Sequence, residues 1–183
     1  MTSDAGERGH DAARPLPEFF LRWRDGWGDA SATWTPTDYL NQDSGVGATI
    51  AAGWLFNPST VRYRGAVFLA ERFNAANVDE WYERYPDEPA RIESVVNAVK
   101  LYDFFVNSDS DPYEDSLPGL AADIGVCWRG VLTLRYPELT VHVEVADGSD
   151  AGDYGPSVTF WTEPRCRAES EPGHLSCGDR LVP

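Results

Sequence analysis

The sequence predicts an α+β fold, and three observations carry that expectation. Residues Leu139–Val145 alternate apolar odd positions with Thr140, His142 and Glu144, the period-two pattern of a half-buried strand. Ser157–Thr162 repeats it, with Val158 and Phe160 against Thr159 and Trp161, and the ten residues Asp147 to Pro156 join the two runs as an antiparallel hairpin would. Between residues 87 and 136 the apolar residues recur at helical spacing. The arrangement that satisfies all three is a small antiparallel sheet of three to four strands, at about residues 60–72, 139–146 and 157–162, with several helices packed on one face.

Residues 1–14 and 164–183 are rich in Gly, Pro, Ser and charge and read as tails, leaving one α+β domain over residues 15–163. Leu16, Phe19, Phe20, Trp23 and Trp27 mark a short amphipathic helix that Gly26 and Gly28 end. Ser44 can cap a second helix, where Val46, Ile50 and Trp54 lie four apart until Asn57-Pro58 breaks it. Thr60–Phe73 reads as strand, with Gly65 as a bulge or a tight hairpin. Asn77 followed by Glu80 starts a helix through Tyr85. Asp87 as cap and Pro89 in the first turn open a helix to about Val106, striped by Ile92, Val95, Val96, Val99, Tyr102 and Val106. Its second half is expected to be central to the core. Asn107–Ser116 is an acidic loop. A long helix follows from Leu117 to Tyr136 with Leu120, Ile124, Cys127, Trp128, Val131 and Leu134 on one side, stopped by Pro137.

The chain has 183 residues, 42% hydrophobic and 25% charged, enough for one globular core without a disulfide or metal staple. Fifteen basic residues face thirty acidic ones, a net charge of −15. That balance argues against a nucleic-acid or anionic-membrane binder, whose affinity comes from clustered cations. Lys100 is the only lysine, which a GC-rich coding sequence or adaptation to high salt would each explain. Cys127, Cys166 and Cys177 form no disulfide framework and fit a reducing cytoplasm. The first fourteen residues carry Asp4, Glu7 and Asp11 and lack the pattern of a secretory signal. The longest near-apolar run, Gly45 to Phe56, has twelve residues, short of the ~20 a spanning helix needs.

Motifs for chemistry are sparse. The loop Asp147 to Asp153 begins like a calcium loop but has Ala151 and Val158 where ligands belong, so a solvated acidic loop accounts for it. Cys166, His174 and Cys177 are one ligand short of a closed zinc site, and no metal is expected. No glycine-rich phosphate loop or nucleophile elbow is present, and no cofactor is expected. Cys127 falls on the apolar side of its helix as a small hydrophobe. If the protein were a hydrolase, Glu71, Asp103 and Glu144 would be its carboxylates and His142, on the same strand face as Glu144, its proton carrier. Surface ion pairing is the favoured account of those carboxylates.

Charge patterning is more informative. Residues 76–116 hold three cations against eleven acids, a net −8, whereas residues 36–75 balance. The leading expectation is therefore a non-catalytic cytoplasmic binding module that presents Asp79, Glu80, Glu83, Asp87, Asp109, Asp111, Glu114 and Asp115 to a basic protein partner. Seven tryptophans exceed what one core absorbs, and Trp161 is the candidate aromatic anchor. In general character (small, acidic, α+β, without a catalytic signature) the chain resembles bacterial toxin-immunity proteins, which neutralise basic nuclease-like toxins. The resemblance implies a basic partner and assigns no residue a role. A carboxylate-dependent hydrolase and a structural subunit with an exposed apolar patch are the alternatives.

Overall fold

The computed structural model describes residues 15–42, 45–106, 111–150 and 154–165, and shows an α+β fold. Contacts divide the chain between Thr49 and Ile50. The sequence had placed one domain over residues 15–163.

The first unit is built on aromatic rings. Helix α1, Glu18–Asp25, ends at Gly26, and Gly28 turns the chain at φ +78°. The Ser31 hydroxyl donates to the Arg24 and Gly28 carbonyls at 2.6 Å each, fastening the end of α1 to the 3-10 turn Asp29–Ser31. Helix α2, Pro36–Gln42, was not anticipated, although its start was legible. Pro36 opens it, and Asp38 accepts both the backbone N–H and the hydroxyl of Thr35, two bonds that fasten the helix start and lower the Asp38 pKa. Trp23 lies at the centre, 5.0 Å from the Tyr39 ring and 5.3 Å from Trp34, with Phe20 buried beside it.

Helix α3, Val46–Phe56, crosses the division and ends before Pro58 as expected. In the second unit β1 (Thr60–Tyr63) and β2 (Ala66–Leu69) form an antiparallel hairpin. Arg64 and Gly65 both have positive φ, the two-residue turn that matches strand twist, so of the bulge and the tight hairpin left open at Gly65 the chain takes the hairpin, which ends at Leu69. Helix α4, Ala75–Arg84, is capped by Asn74, whose side chain accepts the Asn77 N–H at 3.2 Å; Asn77 itself is not the cap.

The helix expected from Asp87 to Val106 is broken. Helix α5 runs only from Pro89 to Val96, followed by β3 (Val99–Lys100) and a single turn, α6 (Leu101–Phe104). Residues 99–101 give up helical hydrogen bonds for bonds to Pro156, Ser157 and Val158 on the edge of β5. Of the expected stripe Ile92 and Val99 are buried, as is Leu101 beside it, but Val95 is exposed and Val106 is 75% exposed, so the second half of the expected helix is core only at residues 99 and 101 and runs out to the surface by Phe104.

Helix α7, Leu117–Arg135, packs against β4 (Leu139–Ala146) and β5 (Ser157–Pro164), with strand order β3-β5-β4. It is long and apolar enough to cross a membrane by length and composition, but Leu117, Ala121, Ile124, Trp128 and Leu132 bury one side of it in the core. Of the expected stripe Ile124 and Trp128 are buried, but Leu134 is 83% exposed, and Leu117, Ala121, Gly125 and Leu132 complete the buried side. Trp128 meets Phe160 edge to face and donates its indole N–H to the Leu55 carbonyl at 2.8 Å. β5 extends through Pro164, and the Arg165 N–H bonds the Glu138 carbonyl, so the chain is structured past the expected end of the domain.

No backbone ladder joins the two small sheets. Two α5 side chains take its place. The buried Glu93 carboxylate accepts from the Val67 N–H (2.9 Å), the Thr162 N–H (3.0 Å) and the Thr162 hydroxyl (2.8 Å). One turn on, the Asn97 amide accepts from the Leu69 N–H and donates to the Val67 and Phe160 carbonyls. Four helical residues rise about 6 Å and two strand residues about 6.6 Å, so the pair matches consecutive rungs of β2 and β5. The resulting seam buries β2 on both faces. Val67 and Leu69 pack with the α7 core, and Ala66 and Phe68 with Val78 and the half-buried Tyr82 and Val96. Helices therefore cover both faces of β2, where the sequence had suggested one.

Candidate functional site

Helical spacing sorts the residues of α4 into two stripes. Val78, Trp81, Tyr82 and Tyr85 follow i, i+3, i+4, i+7; Val78 is fully buried and the three rings are half-buried. Trp81 stacks on Tyr85 at 5.7 Å, and the Arg91 guanidinium lies 4.8 Å over the Tyr85 ring. Glu80 and Glu83 occupy the outward stripe and are exposed, as is Asp87 just past the helix end.

The acids around them are internally engaged. Asp79 pairs with Arg64 at 2.9 Å and accepts the Tyr63 hydroxyl, Glu88 pairs with Arg91 at 2.8 Å, and Glu93 is the buried seam carboxylate. Glu80, Glu83 and Asp87 hold no ion pair among the described residues, and the exposed Arg84 is the cation beside them. Further along, Glu114 is exposed and accepts the Tyr102 hydroxyl at 2.8 Å, and Asp115 is exposed on the same 3-10 turn, Asp111–Ser116. Asp109 and the Asp111 side chain lie outside the described residues.

The three candidate hydrolytic carboxylates are all exposed. Asp103 is exposed and pairs with Arg72 at 2.9 Å. Glu71 is exposed beside that arginine, and Glu144 is exposed on β4. None of the three lines the groove described below. His142 turns to Glu163 across the hairpin (Nε2 to Oε2, 3.4 Å) rather than to Glu144. Its ring lies on Trp161, its direct cross-strand partner, at 5.2 Å and within 8° of parallel. Trp161 is thus half-buried under a histidine on the outer face of the hairpin.

Among the described residues no group of three or more His, Cys, Asp or Glu side chains could hold a metal ion. Cys166 and the histidine and cysteine at 174 and 177 lie outside them.

Sequence reasoning did not single out Glu93, the most buried carboxylate. Desolvation raises its pKa above the ordinary 4.5, while the bonds from Thr162 and Val67 pull the other way. Tyr82, close by, is pushed up from 10.0 by burial and then by the Glu93 charge, against the opposing Arg64, and its hydroxyl has no hydrogen-bond partner. The only available signal for Glu93 was its i, i+4 relation to Asn97 on an otherwise apolar face. Comparison with protein-family models, with curated proteins and with solved structures gave no match.

Proposed function

We propose that this chain is a non-catalytic cytoplasmic protein-binding module, immunity-like in the chemistry of its partner, whose docking face is the outer stripe of α4. Glu80, Glu83 and Asp87 supply its negative charge, and the Trp81–Tyr85 stack borders it. The observation that carries this reading is the contrast between these three acids, which are exposed and hold no ion pair among the described residues, and Asp79, Glu88 and Asp103, which arginines of the same chain already neutralise. Free exposed charge acts mainly through steering, so the partner is a basic protein that associates fast and salt-sensitively. The exposed placement of Glu71, Asp103 and Glu144, with Asp103 held by Arg72, favours binding over hydrolysis, which needs two carboxyl groups flanking one bond in a cleft.

Capture from native lysate at low and at high ionic strength, with identification by mass spectrometry, tests the proposal. The expected result is a basic protein retained at low salt and released at high salt. Recovery of no protein under either condition, or of partners whose retention ignores salt, overturns it.

A further inference from the structure

A groove of about 600 Å³ opens beside the C-terminal ends of α3 and α7, within the size range of small-molecule sites. It is lined by Ile50, Gly53 and Trp54 of α3, by residues 57–60, and by Arg135 and Tyr136, all in the second unit. Arg135 is held there by neutral acceptors. Its Nη1 donates to the Pro58 carbonyl (2.7 Å) and the Thr60 hydroxyl (2.9 Å), and its Nη2 donates to the Asn57 side-chain carbonyl (2.7 Å). The Thr60 hydroxyl is in turn bonded to the Tyr136 hydroxyl at 2.7 Å, which stiffens the mount.

Arg62, Arg64, Arg72 and Arg91 each hold a carboxylate; Arg135, like Arg84 and Arg129, has none among the described residues, and of these three it alone lines the groove. A guanidinium offers five N–H donors in one plane. Three are used here, leaving Nε–H and one Nη2–H for a planar oxyanion on a guanidinium already fixed in place. Trp54, 61% exposed, and Ile50, 58% exposed, give the groove a flat apolar wall.

We propose that this groove binds a small aromatic monocarboxylate, with its carboxylate on Arg135 and its ring against Trp54. A single negative charge suits the site because the field of a chain carrying −15 opposes di- and trianions. The flat apolar body follows from the exposed indole, on which a ring gains contact area that an aliphatic acid lacks. None of the α4 acids takes part, so this site and the protein-docking face can fail independently.

The test is an NMR titration of the isotope-labelled full chain with indole-3-acetate, indole-3-acetamide and adenosine monophosphate, read at the Arg135 Nε–H, the Trp54 indole N–H and the Gly53 amide. Indole-3-acetate is expected to give saturable shifts confined to these groove signals, with the neutral amide at least about tenfold weaker. Trp54→Ala, which removes an exposed side chain, is expected to weaken indole-3-acetate about tenfold. Arg135→Lys keeps the charge but not the fork and is expected to lose about as much. Should that variant unfold, the amide comparison and Trp54→Ala decide alone. Groove signals unmoved by millimolar indole-3-acetate, equal binding of acid and amide, or tighter binding of adenosine monophosphate would each overturn the proposal.

Discussion

The Glu93 carboxylate accepts hydrogen bonds from Val67 N–H, Thr162 N–H and the Thr162 hydroxyl while only 1% exposed. Two of those donors are backbone amides that cannot become acceptors. In Glu93→Gln the amide nitrogen must face one of them, whichever way the side chain is flipped. The near-isosteric change is therefore expected to destabilise the protein by about 1–3 kcal/mol in urea unfolding, because a buried N–H is left unpaired. The same carboxylate sets a pH dependence. Its pKa is raised in the folded chain, so the folded state binds the proton more tightly than the unfolded one. Its contribution is complete below the ordinary 4.5 and is lost as pH rises through the raised value. Relative to Glu93→Gln, the native chain is expected to lose stability with rising pH over that window, measured by denaturant midpoints. Tyr82 offers the opposite case: its half-buried hydroxyl has no partner. Tyr82→Phe is expected to leave stability unchanged or raise it by up to about 1 kcal/mol, read from the thermal midpoint.

Elements were legible where local chemistry and tertiary demand agree. The β4–β5 hairpin, α1, α3 and α7 all lie close to where alternation, helical spacing and Pro or Gly punctuation put them. The segment after Asn97 was not legible because Val99 and Leu101 fit a buried helix and a buried strand equally well, and the free edge of β5 decides between them. The α7 stripe was legible at Ile124 and Trp128 but not throughout, because Ala121 and Gly125, which face the core, carry less hydrophobic signal than Leu134, which faces water. Gly125 leaves no room for a side chain between helix and sheet, since a Cβ there would sit 2.5 Å from Val145 Cγ2. Gly125→Ala is expected to cost about 1–3 kcal/mol by overpacking, against the usual gain from alanine in a helix. At α4, Asn74→Ala is expected to cost about 1 kcal/mol by leaving the Asn77 N–H uncapped. Equilibrium unfolding of each variant checks both.

For the molecule as a whole, net charge is a poor guide to presented charge. The −8 of residues 76–116 was visible in the sequence, but its distribution was not. Asp79 and Asp103 pair with arginines outside that segment, Glu88 with one inside it, and Glu93 is used as a structural acceptor. Ion pairing between residues distant in sequence, such as Asp103 with Arg72, follows from how α6 returns beside the end of the first hairpin, which no spacing rule encodes. What remains exposed without an ion pair among the described residues is a smaller focus on α4, at Glu80, Glu83 and Asp87, together with Glu114 and Asp115 on the later 3-10 turn. Reversing the charges of the first three touches no packed atom, so the fold is expected to persist in the Glu80→Lys/Glu83→Lys/Asp87→Lys variant, as circular dichroism will show. The most direct measurement is the low-salt capture of basic protein by this folded variant beside the native chain. Loss of capture is expected if the α4 stripe is the docking face, and capture equal to that of the native chain would contradict it.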